Sequence, residues 1–334
     1  MLNNLNLMFM MMTFMSSMIS ISSSSWLSVW MGMEINMISF IPLMILPKNI
    51  FSNESALKYF LVQSSSSALF LMMCLLNSFF MINLMNFFTN SFLMHLMMIP
   101  LLIKLGAAPF QQWFINIIQG MSWLTCYMLM TWQKIAPIFI LNYIYTKSLM
   151  IILFIFLSVL IGSIGGLSQI FLKKIMAYSS VNHLGWMFSA ILISKNSLYN
   201  YIMFYLFTNA FIMMLFYMNN ITQINQINST NFMFTFFISL FSLGGLPPFL
   251  GFLPKMILIK NLIIFNKSIC LLLVISSLIT LFFYLRMSFK IFTIKSNSQK
   301  WTYLLMHENK WMKLYSSFIV ITSMGLIFIN MFLI

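Results

Sequence analysis

The sequence predicts an all-α, polytopic membrane protein with about eleven transmembrane helices. Of its 334 residues, 61% are hydrophobic and only 6% are charged, which is too little charge for a soluble protein of this length. The apolar residues fall into runs of about 20, the length that crosses a bilayer as a helix. The net charge of +14 comes from lysines spread singly between apolar runs. Such spacing does not form a nucleic-acid-binding surface, and it indicates that most lysines orient the helices in the membrane.

The first half of the chain contains five predicted helical segments. Their expected bounds are 4–21, 26–46, 56–82, 91–119 and 122–145. The serine run Ser22–Ser25 separates the first two segments, and a polar connection with Glu54 and Lys58 leads to the third. The fourth segment is too long for one straight span. We expect it to break at Gly106–Pro109, because proline lacks the amide hydrogen that a helix interior requires.

The second half repeats this organisation with five further segments and a final helix. Their expected bounds are 149–167, 175–194, 198–218, 232–264, 268–291 and 314–333. The fourth of these segments is again too long, and we expect a break at Gly244–Pro248. Gly162 and Gly166, four residues apart in the first of them, permit close helix packing. Matching interruptions in two halves are typical of inverted transporter repeats, although Gly and Pro breaks are also common in unrelated membrane helices.

Lysines beside the broken backbone are the candidate functional residues. Lys104 precedes the first break, Lys134 lies three residues before Pro137, and Lys255 follows the second break. Ionisable residues inside a bilayer are costly, and freed backbone groups there must be satisfied by protein or by water. Each lysine is therefore a candidate ion or proton site. The structural alternatives are a lysine that extends from a helix end to the membrane surface and a buried ion pair that fixes helix register.

Glu34 is the acidic residue expected to interact with these lysines. It lies about one-third of the way into the second segment, whereas the other glutamates fall in predicted connections. A carboxylate near a buried lysine favours the charged form of that lysine, whereas a second lysine nearby disfavours it. One glutamate and several lysines, with water between them, can therefore act as a charge relay. An ion pair that only fixes helix register remains the alternative for Glu34 and Lys104.

The sequence contains no recognisable site for a metal or a redox cofactor. The three cysteines lie singly in apolar runs, and the three histidines are too scattered for paired haem ligation. We therefore expect no cofactor in this chain. The segment Met1–Ile21 lacks a basic region before its apolar run, which indicates a retained first helix rather than a cleaved leader.

The distribution of lysines among the connections predicts the orientation of the chain. Connections on the side of the N-terminus carry eight lysines and the opposite connections carry four, namely Lys48, Lys58, Lys173, Lys174, Lys295, Lys300, Lys310 and Lys313 against Lys147, Lys195, Lys260 and Lys267. Positive connections stay on the inner side of a membrane. We therefore expect the N-terminus inside and, with eleven helices, the C-terminus outside.

Five motifs spread along the chain carry a resemblance to a known family. They are Trp30–Asn36, Lys104–Phe110, Thr131–Pro137, Ala177–Trp186 and Leu243–Lys255. In this order they resemble the NADH dehydrogenase subunit 2 family, the antiporter-like subunits of mitochondrial respiratory complex I, and the length and composition are similar to those of arthropod members. The resemblance covers essentially the whole chain.

This resemblance implies one membrane domain over residues 1–334, with two inverted five-helix repeats at 4–146 and 149–291 and a C-terminal helix at 314–333. It implies a location in the mitochondrial inner membrane, with the N-terminus toward the matrix and the C-terminus toward the intermembrane space. The implied partners are other membrane subunits of complex I, especially neighbouring antiporter-like subunits, and phospholipid. The chain would thus be a subunit of a proton-translocating NADH:ubiquinone reductase, with no redox centre or substrate site of its own.

The resemblance also assigns roles to the candidate residues. Glu34 matches the glutamate that pairs with the lysine of the first broken helix, here Lys104. Lys134 matches the central lysine, Lys255 the lysine of the second broken helix, and His183 a polar position along the same axis. Together they imply a relay of carboxylate, lysine and water coupled to electron transfer elsewhere in the complex. Gln111-Gln112 stands where relatives commonly have a histidine, so no titrating histidine is expected there.

Three other functions are compatible with a polytopic chain of this kind. A stand-alone cation/proton antiporter subunit of the same superfamily is the main alternative. A haem-bearing respiratory subunit is disfavoured by the scattered histidines, and a structural scaffold is disfavoured by the cost of the intramembrane ionisable residues.

Overall fold

The computed structural model describes residues 4–46, 49–82, 87–144, 149–224, 226 and 233–295. Over these ranges the chain is helical apart from short connections and an isolated β-bridge between Phe171 and Gln223. The helix expected at 314–333 lies outside the described residues. The chain divides into two compact units, Met1–Ser158 and Val159–Ile334.

The first unit contains seven helices in its described part. They are α1 (Asn4–Ser22), α2 (Trp26–Met44), α3 (Ile50–Ile82), α4 (Phe87–Leu105), α5 (Gln112–Gly120), α6 (Trp123–Met130) and α7 (Trp132–Ile144). Ser25 and Ser122 begin α2 and α6 as N-caps, since each side chain accepts a hydrogen bond from the backbone amide three residues later. The helix α8 (Leu149–Gly165) follows and contains the boundary between the units.

The second unit continues with five helices among the described residues. They are α9 (Leu172–Ile193), α10 (Lys195–Asn219), α11 (Met233–Gly244), α12 (Phe252–Phe265) and α13 (Lys267–Lys295). Arg286 on α13 donates hydrogen bonds to the carbonyls of Leu167 and Gln169, in the connection between α8 and α9. This guanidinium therefore fixes a loop whose backbone carbonyls have no helical partner.

The predicted membrane-spanning character is confirmed for most of the chain. Six stretches of the described residues are helical, long enough and apolar enough to cross a membrane, and three shorter apolar helices accompany them. The six are Asn4–Ser22, Trp26–Met44, Ile50–Phe79, Trp123–Ile144, Lys195–Asn219 and Lys267–Phe289. Each of the first ten predicted segments coincides with one helix or with a pair of helices separated by an interruption.

The predicted polar connection before the third segment is wrong in its extent. The helix α3 begins at Ile50 instead of 56, because the side chain of Asn49 accepts a hydrogen bond from the Phe51 amide and caps the helix start. Glu54 and Lys58 consequently lie on this helix, where they form a salt bridge one turn apart.

The first predicted break is confirmed and has the geometry of a Schellman motif. Helix α4 ends at Leu105, and Gly106 follows with a φ of 63°. The Gly106 amide donates to the Ile103 carbonyl, and the Ala107 amide donates to the Leu102 carbonyl. These two bonds satisfy carbonyls that a helix end leaves free, and they require the left-handed backbone that glycine adopts without strain.

The second predicted break repeats this motif with the same spacing. Helix α11 ends at Gly244, and Gly245 has a φ of 78°. The Gly245 amide donates to Ser242, and the Leu246 amide donates to Phe241. The offsets between donor and acceptor are those of the first break. The interruptions thus share a backbone motif as well as a glycine and proline composition, while the inverted relation of the two repeats stays a prediction.

A third interruption occurs where the sequence predicts one continuous helix. Thr131 separates α6 from α7, and its backbone departs from helical geometry with a φ of −116°. Its hydroxyl donates to the Tyr127 carbonyl at 2.6 Å. Such a bond bends a helix but does not by itself end it, because Thr208 makes the same bond within the uninterrupted α10.

Small residues allow close contact between helices within each unit. A Cβ atom on Gly32 of α2 would lie 2.9 Å from the backbone nitrogen of Ser20 on α1. A Cβ atom on Gly162 of α8 would lie 2.5 Å from the backbone nitrogen of Asn182 on α9. The predicted role of Gly162 in close helix packing is therefore confirmed.

Candidate functional site

Lys104 and Lys134 line one cavity inside the first unit. The open space in the cavity is about large enough for one water molecule. Its lining includes the amides Asn36, Gln63 and Gln133 beside the two lysines, together with Met33, Met37, Tyr59, Leu105, Trp113, Phe114, Leu129, Ala136 and Pro137. A water molecule in this space would have lysine and amide side chains as hydrogen-bond partners. The two lysines that the sequence singled out are thus brought to one potentially hydrated space.

Lys104 occupies the last turn of α4, immediately before the first break. Its side chain is buried, with 8% exposure. The carbonyl groups at a helix C-terminus carry a partial negative charge, which attracts an ammonium. The Gln63 side chain on α3 donates to the backbone carbonyl of Lys104 at 3.4 Å. The helix end at the break therefore stabilises the Lys104 ammonium electrostatically. The hydrogen bond from Gln63 on α3 holds the backbone at this position.

Lys134 lies in the first turn of α7, directly after the interruption at Thr131. Its side chain is 3% exposed, and its Nζ lies 4.8 Å from the centroid of the Phe114 ring on α5. An ammonium above an aromatic face is stabilised electrostatically. Pro137 follows within the same helix and leaves the Gln133 carbonyl without its helical donor. The lysine is thus held at a helix start, rather than midway along one continuous helix as the sequence suggests.

An amide pair that the sequence analysis missed connects two of the elements around this cavity. The Gln133 side chain donates to Asn36 Oδ1 at 2.9 Å, which links α7 to α2. Gln133 precedes Lys134 in the chain, and Asn36 follows Glu34 by two residues. The sequence signal that could have indicated this pair is the presence of amide side chains in otherwise apolar segments, because a polar group in a membrane helix requires a partner.

Glu34 is not among the residues that line this cavity. It is half-buried on α2, and its charge acts on Lys104. Lys104 and Glu34 nevertheless form no salt bridge in the described part of the chain, where the ion pair found is the one on α3. Direct pairing of Glu34 with Lys104 remains a prediction.

Lys255 is held at the second break, within the second unit. Its Nζ donates to the Gly244 carbonyl at 2.9 Å and lies 5.6 Å from the centroid of the Trp186 ring. The lysine is in the first turn of α12 and is buried. A Cβ atom on Gly245 would lie 2.9 Å from the ammonium, so the glycine also makes room for the lysine. Lys255 thus shares with Lys134 a helix start and an aromatic face.

His183 forms a hydrogen bond that the sequence did not indicate. Its Nδ1 lies 2.8 Å from the hydroxyl of Tyr201, and both side chains are buried. They line a second, smaller cavity. The cavity extends to residues of the second break, including Ser242, Gly251 and Pro254. His183 and Lys255 therefore belong to neighbouring parts of one unit.

The predicted relay residues divide between the two units. Lys104 and Lys134 share a cavity in the first unit, with Glu34 on a neighbouring helix. His183 and Lys255 lie in the second unit. Gln111 and Gln112, the departure from the family pattern, stand at the start of α5 and are not among the residues that line the first cavity.

These features define a class of protein: a polytopic helical membrane protein with buried lysines at helix interruptions, the arrangement typical of ion- and proton-translocating subunits. The sequence pattern of the family described as NADH:quinone oxidoreductase/Mrp antiporter, TM, matches residues 23–282. The chain belongs to this family.

Three relatives of this chain share one name within the family. NADH-ubiquinone oxidoreductase chain 2 of Anopheles gambiae is 41% identical over 339 residues, covering 98% of this chain and 97% of the relative. The Locusta migratoria protein of the same name is 38% identical over 333 residues, covering 97% and 96%. The Didelphis virginiana protein is 39% identical over 274 residues, covering 79% of each chain.

Solved structures show the same fold at lower identity. A chain of respiratory complex I from Thermus thermophilus matches with a TM-score of 0.79 and 19% identity, covering 97% of this chain and 78% of that one. A chain of an archaeal membrane-bound sulfane sulfur reductase gives 0.80 and 16%, covering 95% and 72%. A chain of the Mrp complex from Dietzia gives 0.75 and 17%, covering 85% and 59%.

Proposed function

We propose that this chain is the antiporter-like membrane subunit of a proton-translocating NADH:ubiquinone oxidoreductase. It moves protons through Glu34, Lys104, Lys134, His183, Lys255 and intervening water, while electron transfer takes place elsewhere in the complex. The chain contributes no cofactor, redox centre or substrate site. The names of its full-length relatives support the assignment to this enzyme, and the buried lysines support the role in proton transfer.

One observation carries the proposal: two buried lysines share a single polar cavity. Lys104 and Lys134 both line it, and three amide side chains offer hydrogen-bonding groups for water between them. Two positive charges in one buried space repel, so a proton on one lysine opposes a proton on the other. A change in the field of Glu34 at Lys104 then alters how firmly Lys134 holds its own proton. This coupling is what a relay requires.

The membrane location, orientation and partners of the chain follow from the same assignment. We place it in the mitochondrial inner membrane as a multi-pass subunit, with the N-terminus toward the matrix and the C-terminus toward the intermembrane space. Large apolar side chains are exposed on α1, α3 and α13, including Met15, Leu57 and Phe282. These faces are suited to phospholipid and to other membrane subunits of the complex, including neighbouring antiporter-like subunits. Nucleic acid is not among the proposed partners.

A second candidate function is supported by the fold. The likeness to a chain of the Mrp complex fits a stand-alone cation/proton antiporter subunit. Mild detergent purification of the tagged chain distinguishes the two functions. Co-purification with flavin and iron–sulfur subunits supports the oxidoreductase, whereas co-purification with antiporter subunits alone supports the alternative.

Proton transfer itself is tested by Lys134→Met in the assembled complex, reconstituted in vesicles. The substitution keeps a long flexible side chain and removes the proton-binding group, so proton pumping is expected to fall by roughly tenfold or more. Lys260→Met is the control, because Lys260 is an exposed lysine on α12 outside both cavities. Equal pumping by the two variants at equal assembly would contradict the proposal.

A further inference from the structure

The hydrogen bond between His183 and Tyr201 joins two buried side chains that can each donate or accept a proton. The hydroxyl oxygen lies 2.8 Å from Nδ1, and Tyr201 is only 2% exposed. His183 is one of the expected relay residues, whereas Tyr201, on α10, belongs to none of the motifs that suggested the relay. The tyrosine therefore requires its own explanation.

A tyrosine hydroxyl suits this position because it can both donate and accept a hydrogen bond. When His183 is neutral with a free lone pair on Nδ1, the hydroxyl donates to that nitrogen. When Nδ1 carries a proton, the nitrogen donates and the tyrosine oxygen accepts. The bond therefore survives a change in the protonation of His183. A side chain without a hydroxyl would remove this partner from His183 Nδ1.

The cavity beside the pair offers a place for water. Tyr201 and His183 line it together with Tyr205, Thr208 and Ser242. The hydroxyls of Thr208 and Ser242 donate to backbone carbonyls within their own helices. Each of these oxygens keeps lone pairs that can accept a hydrogen bond from water. The space in this cavity is about that of a single water molecule.

The ring of Tyr201 is held independently of its hydroxyl. It stacks on Trp186 with an angle of 5° between the planes and 6.3 Å between the centroids. Trp186 is also the ring beneath the Lys255 ammonium. The packing that orients Tyr201 thus continues to the lysine of the second break, while the hydroxyl itself is directed at His183.

We propose that Tyr201 is a proton-transfer residue that links His183 to water in this cavity. A hydrated proton in the cavity transfers a proton to the tyrosine oxygen as the original hydroxyl proton passes to His183 Nδ1, which leaves neutral water, neutral tyrosine and a protonated imidazole. The water loses one O–H bond, the tyrosine oxygen exchanges one O–H bond for another, and an N–H bond forms at His183, so no oxidant or reductant takes part. The reverse sequence returns the proton to the cavity. This inference rests on the proposed function, because it adds a residue to the same pathway.

The titratable groups facing this pair come from three elements besides α9. Tyr205 on α10 contacts the His183 ring, with 5.0 Å between the centroids. Lys255 on α12 lies above Trp186, and Tyr284 on α13 is close enough to Tyr201 to act on it electrostatically. Lys255 is connected to the pair through the Trp186 ring, which also stacks on Tyr201.

The test is Tyr201→Phe in the assembled complex, reconstituted in vesicles. Phenylalanine keeps the ring that stacks on Trp186 and removes only the hydroxyl. We expect proton pumping roughly tenfold slower at equal assembly, with a larger solvent isotope effect in D₂O as proton transfer becomes limiting. Tyr217→Phe is the matched control, because Tyr217 is an exposed tyrosine on the same helix, with 43% exposure. Its pumping rate and isotope effect are expected to match the unmodified chain.

Two further variants make the outcome decisive. Tyr201→His restores a side chain that donates and accepts protons, and it should recover part of the pumping lost in Tyr201→Phe. Equal losses in the two variants with an unchanged isotope effect would show a purely structural role and overturn the inference. Lys134→Met is measured in parallel. Loss of pumping in that variant beside normal pumping in Tyr201→Phe rejects the role of Tyr201 and leaves the proposed function intact, whereas normal pumping in Lys134→Met rejects the proposed function.

Discussion

The ammonium of Lys255 donates a hydrogen bond to the carbonyl of Gly244, 2.9 Å away across the second helix break. The carbonyls at a helix end lack intrahelical donors, and Gly244 is the last residue of α11. The break therefore supplies a partner for the lysine, and the lysine satisfies a group that the break exposes. This reciprocal contact explains why an ionisable residue and interrupted backbone occur together in this unit.

Gly245→Ala should disrupt this arrangement. Alanine at a φ of 78° costs ~1–2 kcal/mol, and its Cβ would lie 2.9 Å from the Lys255 ammonium. We expect a lower temperature of thermal inactivation for the assembled complex and slower proton pumping. Both are measured in reconstituted vesicles.

Gly244→Ala is the matched control for this prediction. The added methyl group would lie 3.5 Å from its nearest neighbour, in the Tyr284 ring, which is an ordinary contact distance. The backbone there is helical, and the carbonyl that accepts from Lys255 is retained. If Gly245→Ala and Gly244→Ala behave alike, neither the left-handed backbone nor the space at Gly245 matters.

The amide pair at the first cavity gives a second prediction. Gln133→Leu would leave Asn36 Oδ1 without the donor that now lies 2.9 Å away, at a cost of ~1–3 kcal/mol. Asn36→Leu would likewise leave the Gln133 amide without the acceptor to which it now donates. We expect the double variant to lose less thermal stability than the sum of the two single losses, because it leaves neither amide unpaired. Strictly additive losses in thermal inactivation measurements would show that the two side chains do not depend on each other.

The sequence correctly predicted the features that depend on local composition. Runs of apolar residues define the helices, and glycine with proline marks both breaks. Gly106 and Gly245 occupy the positions where the chain adopts left-handed backbone. A lysine within an apolar run is equally visible, because its charge must be accommodated wherever the helix packs. These signals require no knowledge of which helices meet.

The features that the sequence did not reveal depend on contacts between distant segments. The interruption at Thr131 coincides with a hydroxyl bond to the Tyr127 carbonyl, and the sequence does not distinguish this threonine from Thr208, which makes the same bond within the uninterrupted α10. The partners of Tyr201 and Gln133 lie on other helices, so only tertiary packing brings them together. For Glu34 and Lys104 the motifs predict partners that form no salt bridge among the described residues. Matching motifs assigns partners but does not fix the distance between their side chains.

The most direct test of the relay is Lys134→Arg, measured as proton pumping by the assembled complex in vesicles. Arginine keeps the positive charge but does not release its proton under protein conditions, whereas a buried lysine can. If Lys134 carries protons, this variant is expected to lose pumping about as severely as Lys134→Met, despite the retained charge. Normal pumping by Lys134→Arg would contradict the account, because it would show that a fixed positive charge at this position is sufficient.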